Sequence, residues 1–126
     1  ASDVYKRQWL LSNIYPVHDS LGATLPSISI SGAFLLELGM TFVLMLVILV
    51  FCSSPRIAKY TGLAVGAVIF LEAYYGGPYT GASMNPARSL GPAIISGNAL
   101  LLWIYLCAPP LGAIVAAITW KMFFKK

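Results

Sequence analysis

From Gly32 to Cys52 the chain runs for 21 residues with a single charged side chain, Glu37. At 1.5 Å of rise per residue the stretch is about 31 Å long, the thickness of a bilayer's hydrocarbon layer. It therefore reads as a transmembrane helix. Composition makes the same point for the whole chain: 59 % of its 126 residues are hydrophobic and 10 % are charged. Ordinary soluble domains carry about 25 % charged residues. A domain this small has much surface to cover, and eight basic plus four acidic side chains do not cover it. A soluble enzyme domain is excluded. Disorder is excluded as well, because low hydrophobicity is what keeps chains unfolded. The class is an all-α integral membrane protein.

Two further apolar runs follow, giving spans of about 32–52, 60–75 and 100–124. Ser53, Ser54 and Pro55 end the first, and Arg56 and Lys59 form a short basic loop. The second carries Glu72 near its far end and is expected to stop at Gly76-Gly77-Pro78. The third contains Pro109-Pro110, expected to kink it, with Trp103, Tyr105 and Trp120 toward its ends as interfacial aromatics. Arg56 and Lys59 lie two crossings from Lys121, Lys125 and Lys126, so both groups share one side, which the positive-inside rule makes cytoplasmic. The net charge of +4 comes from residues thinly spread between apolar runs, so no nucleic-acid partner is expected. Gly62 and Gly66, and Gly112 and Ala116, have the spacing that lets helix backbones approach closely in lipid; the same spacing can be incidental in glycine-rich membrane helices. Cys52 and Cys107 lie in apolar runs and read as small buried hydrophobes.

The opening eight residues stand apart. Asp3 to Gln8 is what GATGTGTATAAGAGACAG would encode, a string resembling a sequencing-library adapter, so residues 1–8 read as a non-native leader and residues 9–126 as the domain. Trp9 to Ile14 reads as the tail of a preceding helix. Ser27, Ser29 and Ser31 alternate with Ile28 and Ile30 as a loop approaching the membrane.

The connection 76–97 is too apolar for an aqueous loop and too broken for a crossing. Asn85 suits a helix N-cap and Pro86 the first helical position. From Pro86 to about Ile95 gives roughly 15 Å of helix, half a bilayer. A half-helix preceded by glycine-rich backbone reads as a re-entrant segment, tolerated at membrane depth where it is buried in protein or lines a wet cavity. Its N-terminus carries partial positive charge. Arg88, costly against lipid, fits the mouth of a wet pore. An ordinary N-cap would account for Asn85-Pro86 but not for Arg88 at that depth.

Asn85-Pro86-Ala87-Arg88-Ser89, preceded by Thr80-Gly81-Ala82-Ser83-Met84, resembles the second Asn-Pro-Ala box of the major intrinsic proteins, the aquaporins and glycerol channels. Glu37, with Thr41-Phe42 after it, resembles that family's fourth helix. The resemblance covers residues 9–126, and it implies an aquaporin-like half-bundle of three transmembrane helices plus one re-entrant half-helix. It further implies that Asn85 turns its amide into the pore, and that Pro86 and Ala87 pack against a partner box. Arg88 would be the basic member of a selectivity ring, with Gly81, Ala82 and Ser83 supplying carbonyl acceptors. Ala73 and Ala82 fall on two further ring positions, where their small side chains resemble the wider solute channels, including the plant nodulin type. Glu37 would hold the re-entrant backbone. Family members carry two such boxes in inverted repeats, whereas this sequence holds one, so the missing N-terminal half of the same channel is an expected partner and the fragment is expected to be inactive alone.

The function implied is passive diffusion of water and small uncharged polar solutes such as glycerol, in a multi-pass protein of a plasma or bacterial inner membrane with a cytoplasmic C-terminus, homotetrameric when full length. An enzyme would need a nucleophile with its base, or clustered ligands. The two acids at membrane depth, Glu37 and Glu72, sit on different spans with no His nearby. His18 lies beside Asp19 in a polar loop and reads as a surface residue, so no metal or cofactor is expected. Tyr74, Tyr75 and Tyr79 read first as an interfacial belt. The competing function is a non-conducting membrane assembly or anchor subunit.

Overall fold

The computed structural model describes Lys6, Trp9, Leu10, Asn13, Ile14 and residues 22–124. Most of the leader, His18 and the terminal Lys125-Lys126 pair lie outside the described residues. Trp9, Leu10, Asn13 and Ile14 are helical, and Asn13 Nδ2 donates to the Trp9 carbonyl at 2.7 Å. After them come α1 (Ile30–Cys52), the short α2 (Pro55–Ala58), α3 (Thr61–Thr80), α4 (Pro86–Ser96) and α5 (Leu102–Phe123). No strand occurs among the described residues.

α1 begins where Ser29 caps it, its hydroxyl accepting from the Gly32 N–H at 3.3 Å. The helix ends where the Ser53 N–H returns to the Leu49 carbonyl at 3.1 Å. α1 and α5 are each long and apolar enough to cross a membrane. α3 has the length, at 20 residues, but Glu72 and the tyrosine-rich stretch 74–79 make it less apolar. α1 is the central element, packing on α5 along one side and on α3 along another. At the α1–α5 seam a Cβ on Gly112 would stand 2.3 Å from the Leu38 carbonyl oxygen. The small residues Gly112 and Ala116, both buried, thus bring two backbones into contact. Ala33, Ile104 and Tyr105 form the buried cluster beside it, with Phe34 and Leu101 packed against them.

Several expectations need correction. α3 does not stop at Gly76-Gly77-Pro78 but continues to Thr80. Pro78 costs that last turn one N–H. The turn is held from outside, by the Ser27 N–H donating to the Tyr79 carbonyl at 2.9 Å and Ser27 Oγ donating to the Pro78 carbonyl at 2.8 Å. Gly76 packs closely on Met40, whose Sδ would lie 2.4 Å from a Cβ there and would have to move aside. Tyr105 is not interfacial but 1 % exposed. Cys52 and Cys107 are free and exposed rather than buried. A Cβ built on Gly62 or Gly66 would meet no described atom within 4 Å outside its own helix, so among the described residues the close backbone approach is made at Gly112.

Candidate pore-lining site

The segment 80–85 turns the chain from the end of α3 back into α4, and it does so through unfavourable backbone. Gly81 is the left-handed cap of α3 at φ 82°, where glycine carries no penalty. Ala82 and Met84 are also left-handed, at φ 42° and 51°, which costs on the order of 1 kcal/mol or more apiece. What holds them is Glu37, fully buried on α1. Its Oε1 accepts from Thr80 Oγ1 at 2.7 Å and from the Ser83 N–H at 2.9 Å. Its Oε2 accepts from the Met84 N–H at 2.8 Å. Hydrogen bonds to a charged acceptor contribute about 1.5–3 kcal/mol each, enough to outweigh the backbone strain. Thr80 Oγ1 accepts in turn from the Ala82 N–H at 3.2 Å, and the Tyr105 hydroxyl donates to the Thr80 carbonyl at 2.6 Å.

On the other side of the segment runs a chain of hydroxyls. Thr24 Oγ1 donates to Ser89 Oγ at 2.6 Å, and Ser89 lies 2.5 Å from Ser83 Oγ. Ser83 Oγ donates to the Asn85 carbonyl at 2.9 Å, so its proton is committed and Ser89 must donate to it. α4 starts at this point. Asn85 Oδ1 accepts from the Ala87 N–H at 2.9 Å, which leaves the Nδ2 amide as a free-facing donor group. Eleven residues make α4 about 16 Å long, half the hydrocarbon layer, and Gly97 closes it at φ 74°.

These elements enclose a cavity of about 280 Å³. Ala73, Ala82, Ser83, Asn85 and Arg88 line it, together with the apolar side chains of Leu44, Ile69 and Met84. Arg88 Nη1 donates to the Gly81 carbonyl at 2.9 Å and to the Ala82 carbonyl, which fixes the guanidinium at the end of the cavity. Five of the residues singled out from sequence thus meet in one place. Gly81 touches it through Arg88, Glu37 supports it from behind, and Pro86 and Ala87 lie outside its wall. Sequence reading missed Leu44, Ile69 and Met84. Helical spacing could have found two of them, for Ile69 lies one turn before Ala73 and Leu44 two turns after Glu37. Thr24, Ser89 and Tyr105 were also missed, and no local signal marks them. The lining offers donors, carbonyls and apolar surface, with no carboxylate, thiolate or imidazole among its described residues. Arg88 and the N-terminus of α4 give it positive potential.

A half-helix packed on α5, its N-terminal asparagine and an arginine lining a cavity with residues of α1 and α3, is the pattern of a channel-type membrane fold. Residues 9–120 match the family model of the major intrinsic proteins, and the chain belongs to that family. It is 46 % identical over 101 residues to soybean (Glycine max) Nodulin-26, covering 79 % of this chain and 37 % of that protein. It is 44 % identical over 102 residues to Aquaporin NIP6-1 of Arabidopsis thaliana, covering 80 % of this chain and 33 % of that protein. The chain therefore spans about a third of the length of these relatives. Its fold is similar to the X-ray structure of the aquaglyceroporin from Plasmodium falciparum, with a TM-score of 0.79 and 27 % identity over 95 % of this chain and 59 % of that one. The family consists of channels rather than enzymes, and its members are membrane proteins.

Proposed function

We propose that residues 9–126 form the C-terminal half of a transmembrane channel through which water and small uncharged polar solutes such as glycerol diffuse passively. The observation that carries this reading is the cavity in which Asn85 and Arg88 face the apolar wall of Leu44, Ile69 and Met84. A neutral solute entering it exchanges water hydrogen bonds for the Asn85 amide, Arg88 and the carbonyls of Gly81 to Ser83. A cation loses its hydration and meets no anionic group. At 4 Å, two unit charges repel by about 4 kcal/mol at an effective dielectric of 20. Ala73 and Ala82 leave the opening wide enough to admit glycerol. Conduction needs the N-terminal half and its second Asn-Pro-Ala box, against which Pro86 and Ala87 pack. The assembled protein is a homotetramer in a plasma or bacterial inner membrane, its C-terminus cytoplasmic. A non-conducting anchor would leave the Asn85–Arg88 cavity without a use.

Stopped-flow swelling of proteoliposomes tests this. The 126-residue chain alone should raise neither water nor glycerol flux above that of protein-free vesicles. Joined to the N-terminal half of soybean nodulin-26, it should conduct both, and Ala73→His should favour water. A joined channel that passes water but excludes glycerol and urea would overturn the wide-pore reading.

A further inference from the structure

Thr24 precedes α1 by six positions and belongs to no helix, yet it touches both edges of the Arg88 site. On one edge, a Cβ built on Gly81 would stand 3.0 Å from Thr24 Cγ2 and 3.3 Å from its Cα. Thr24 is thus packed directly against the backbone whose carbonyl receives Arg88 Nη1. On the other edge, Thr24 Oγ1 donates to Ser89 Oγ at 2.6 Å. Ser89 is the residue after Arg88, is fully buried, and passes its own proton toward Ser83 and so to the Asn85 carbonyl. Ser27, three residues on, ties the same strap to the end of α3 through the Pro78 and Tyr79 carbonyls.

We propose that Thr24 is a positioning residue for Arg88, a strap that fixes the separation between the carbonyl-bearing turn 81–83 and the first turn of α4. Its contacts bridge Gly81, one of the Arg88 side chain's two acceptors, and the helix turn that carries Arg88, so its loss lets those walls move relative to one another. The effect on solutes rests on the channel reading above; the effect on the backbone does not.

Two variants separate the tether from bulk. Thr24→Val keeps the methyl against Gly81 and removes the hydroxyl, whereas Thr24→Ser keeps the hydroxyl. The first measurement is hydrogen exchange of the full 126-residue chain in lipid nanodiscs. Thr24→Val should speed exchange of the 81–89 amides about fivefold, as the loss of one hydrogen bond implies, with α5 unchanged and Thr24→Ser near the parent. The second is the ratio of glycerol to water permeability in the channel joined to the nodulin-26 N-terminal half. Fewer folded copies lower both permeabilities in proportion, so a purely structural role leaves the ratio fixed. A role in placing Arg88 changes it about fivefold for Thr24→Val and restores it for Thr24→Ser. Exchange that is unchanged, or that rises equally along the whole chain, overturns the proposal, as does a constant ratio. A joined channel that conducts nothing defeats the channel reading instead, and the exchange pattern still decides whether Thr24 holds the loop.

Discussion

Glu37 and Glu72 are the two acids set within apolar helices, and their surroundings differ in every respect. Around Glu37 the molecule is closed: the carboxylate accepts three hydrogen bonds, Tyr105 and Thr80 lock the next layer, and Gly112 brings α5 against α1. Around Glu72 it is open. Both carboxylate oxygens are buried without a hydrogen-bond partner among the described residues. They lie beside an apolar groove of about 590 Å³ between α1 and α3, which Met40 and Gly76 also line. Farther along α3, Gly62 and Gly66 face open space. The difference teaches that an acid at membrane depth is structural where backbone amides are left without helix or sheet partners. The turn 80–85 creates such a need, and Glu37 meets it.

The largest expected effect tests the closed region. Glu37→Leu removes every partner from the Ser83 and Met84 amides while leaving Ala82 and Met84 in left-handed backbone. Each buried donor left unsatisfied costs about 1–3 kcal/mol, and unfolding of the purified chain in mixed micelles should show it. Glu37→Gln should lie between, because a carboxamide oxygen can replace Oε1 but its NH₂ group opposes the Met84 N–H. If Glu37→Gln unfolds as readily as Glu37→Leu, one acceptor oxygen does not hold the turn and both carboxylate oxygens are needed.

The two helix seams give the next contrast. Gly112→Ala drives a Cβ into the Leu38 carbonyl, a backbone atom with no rotamer to yield, and overpacking of this kind costs about 1–3 kcal/mol. Gly66→Ala meets nothing within 4 Å and removes the entropy penalty of glycine in a helix, a gain of about 0.5–1 kcal/mol. Opposite signs in the same unfolding assay would sharpen the distinction between closed and open regions. Equal destabilisation would break it, since Gly66 would then have to be packed in solution.

Much of the closed region is legible in the sequence because its signals are local. Asn85-Pro86 marks a helix start through capping chemistry alone, and Arg88 three positions later marks a wet surroundings. The boundary of α3 was misread for the converse reason. Gly76-Gly77-Pro78 are local breakers, but the hydrogen bonds that hold the helix past them come from Ser27, distant in the chain. Tyr105 looked interfacial because its position near a helix end is a sequence property, whereas the Thr80 carbonyl that draws it inward is not. The Thr24–Ser89–Ser83 chain is likewise invisible before folding, being three hydroxyl residues of ordinary type. Ala73, Ala82 and Asn85 came through the family resemblance, while Leu44, Ile69 and Met84 needed the folded wall.

The smallest expected effect concerns Glu72, and its sign matters more than its size. An unpartnered carboxyl in an apolar groove loses water and gains no hydrogen bond in return, a cost of about 1–3 kcal/mol on mutational scales. Leucine has similar volume and none of that cost, so Glu72→Leu should stabilise the 126-residue chain by about 1 kcal/mol in mixed micelles. Glu72→Gln should change stability little, because the amide leaves polar atoms in the same place. Glu37→Leu and Glu72→Leu, the same substitution on two neighbouring helices, would then move the unfolding midpoint in opposite directions. Should Glu72→Leu destabilise the chain as Glu37→Leu does, Glu72 has a partner in the folded protein and the groove beside it is closed in solution. The two acids would then be alike, and the openness of the α1–α3 side could no longer be read from its unpaired carboxylate.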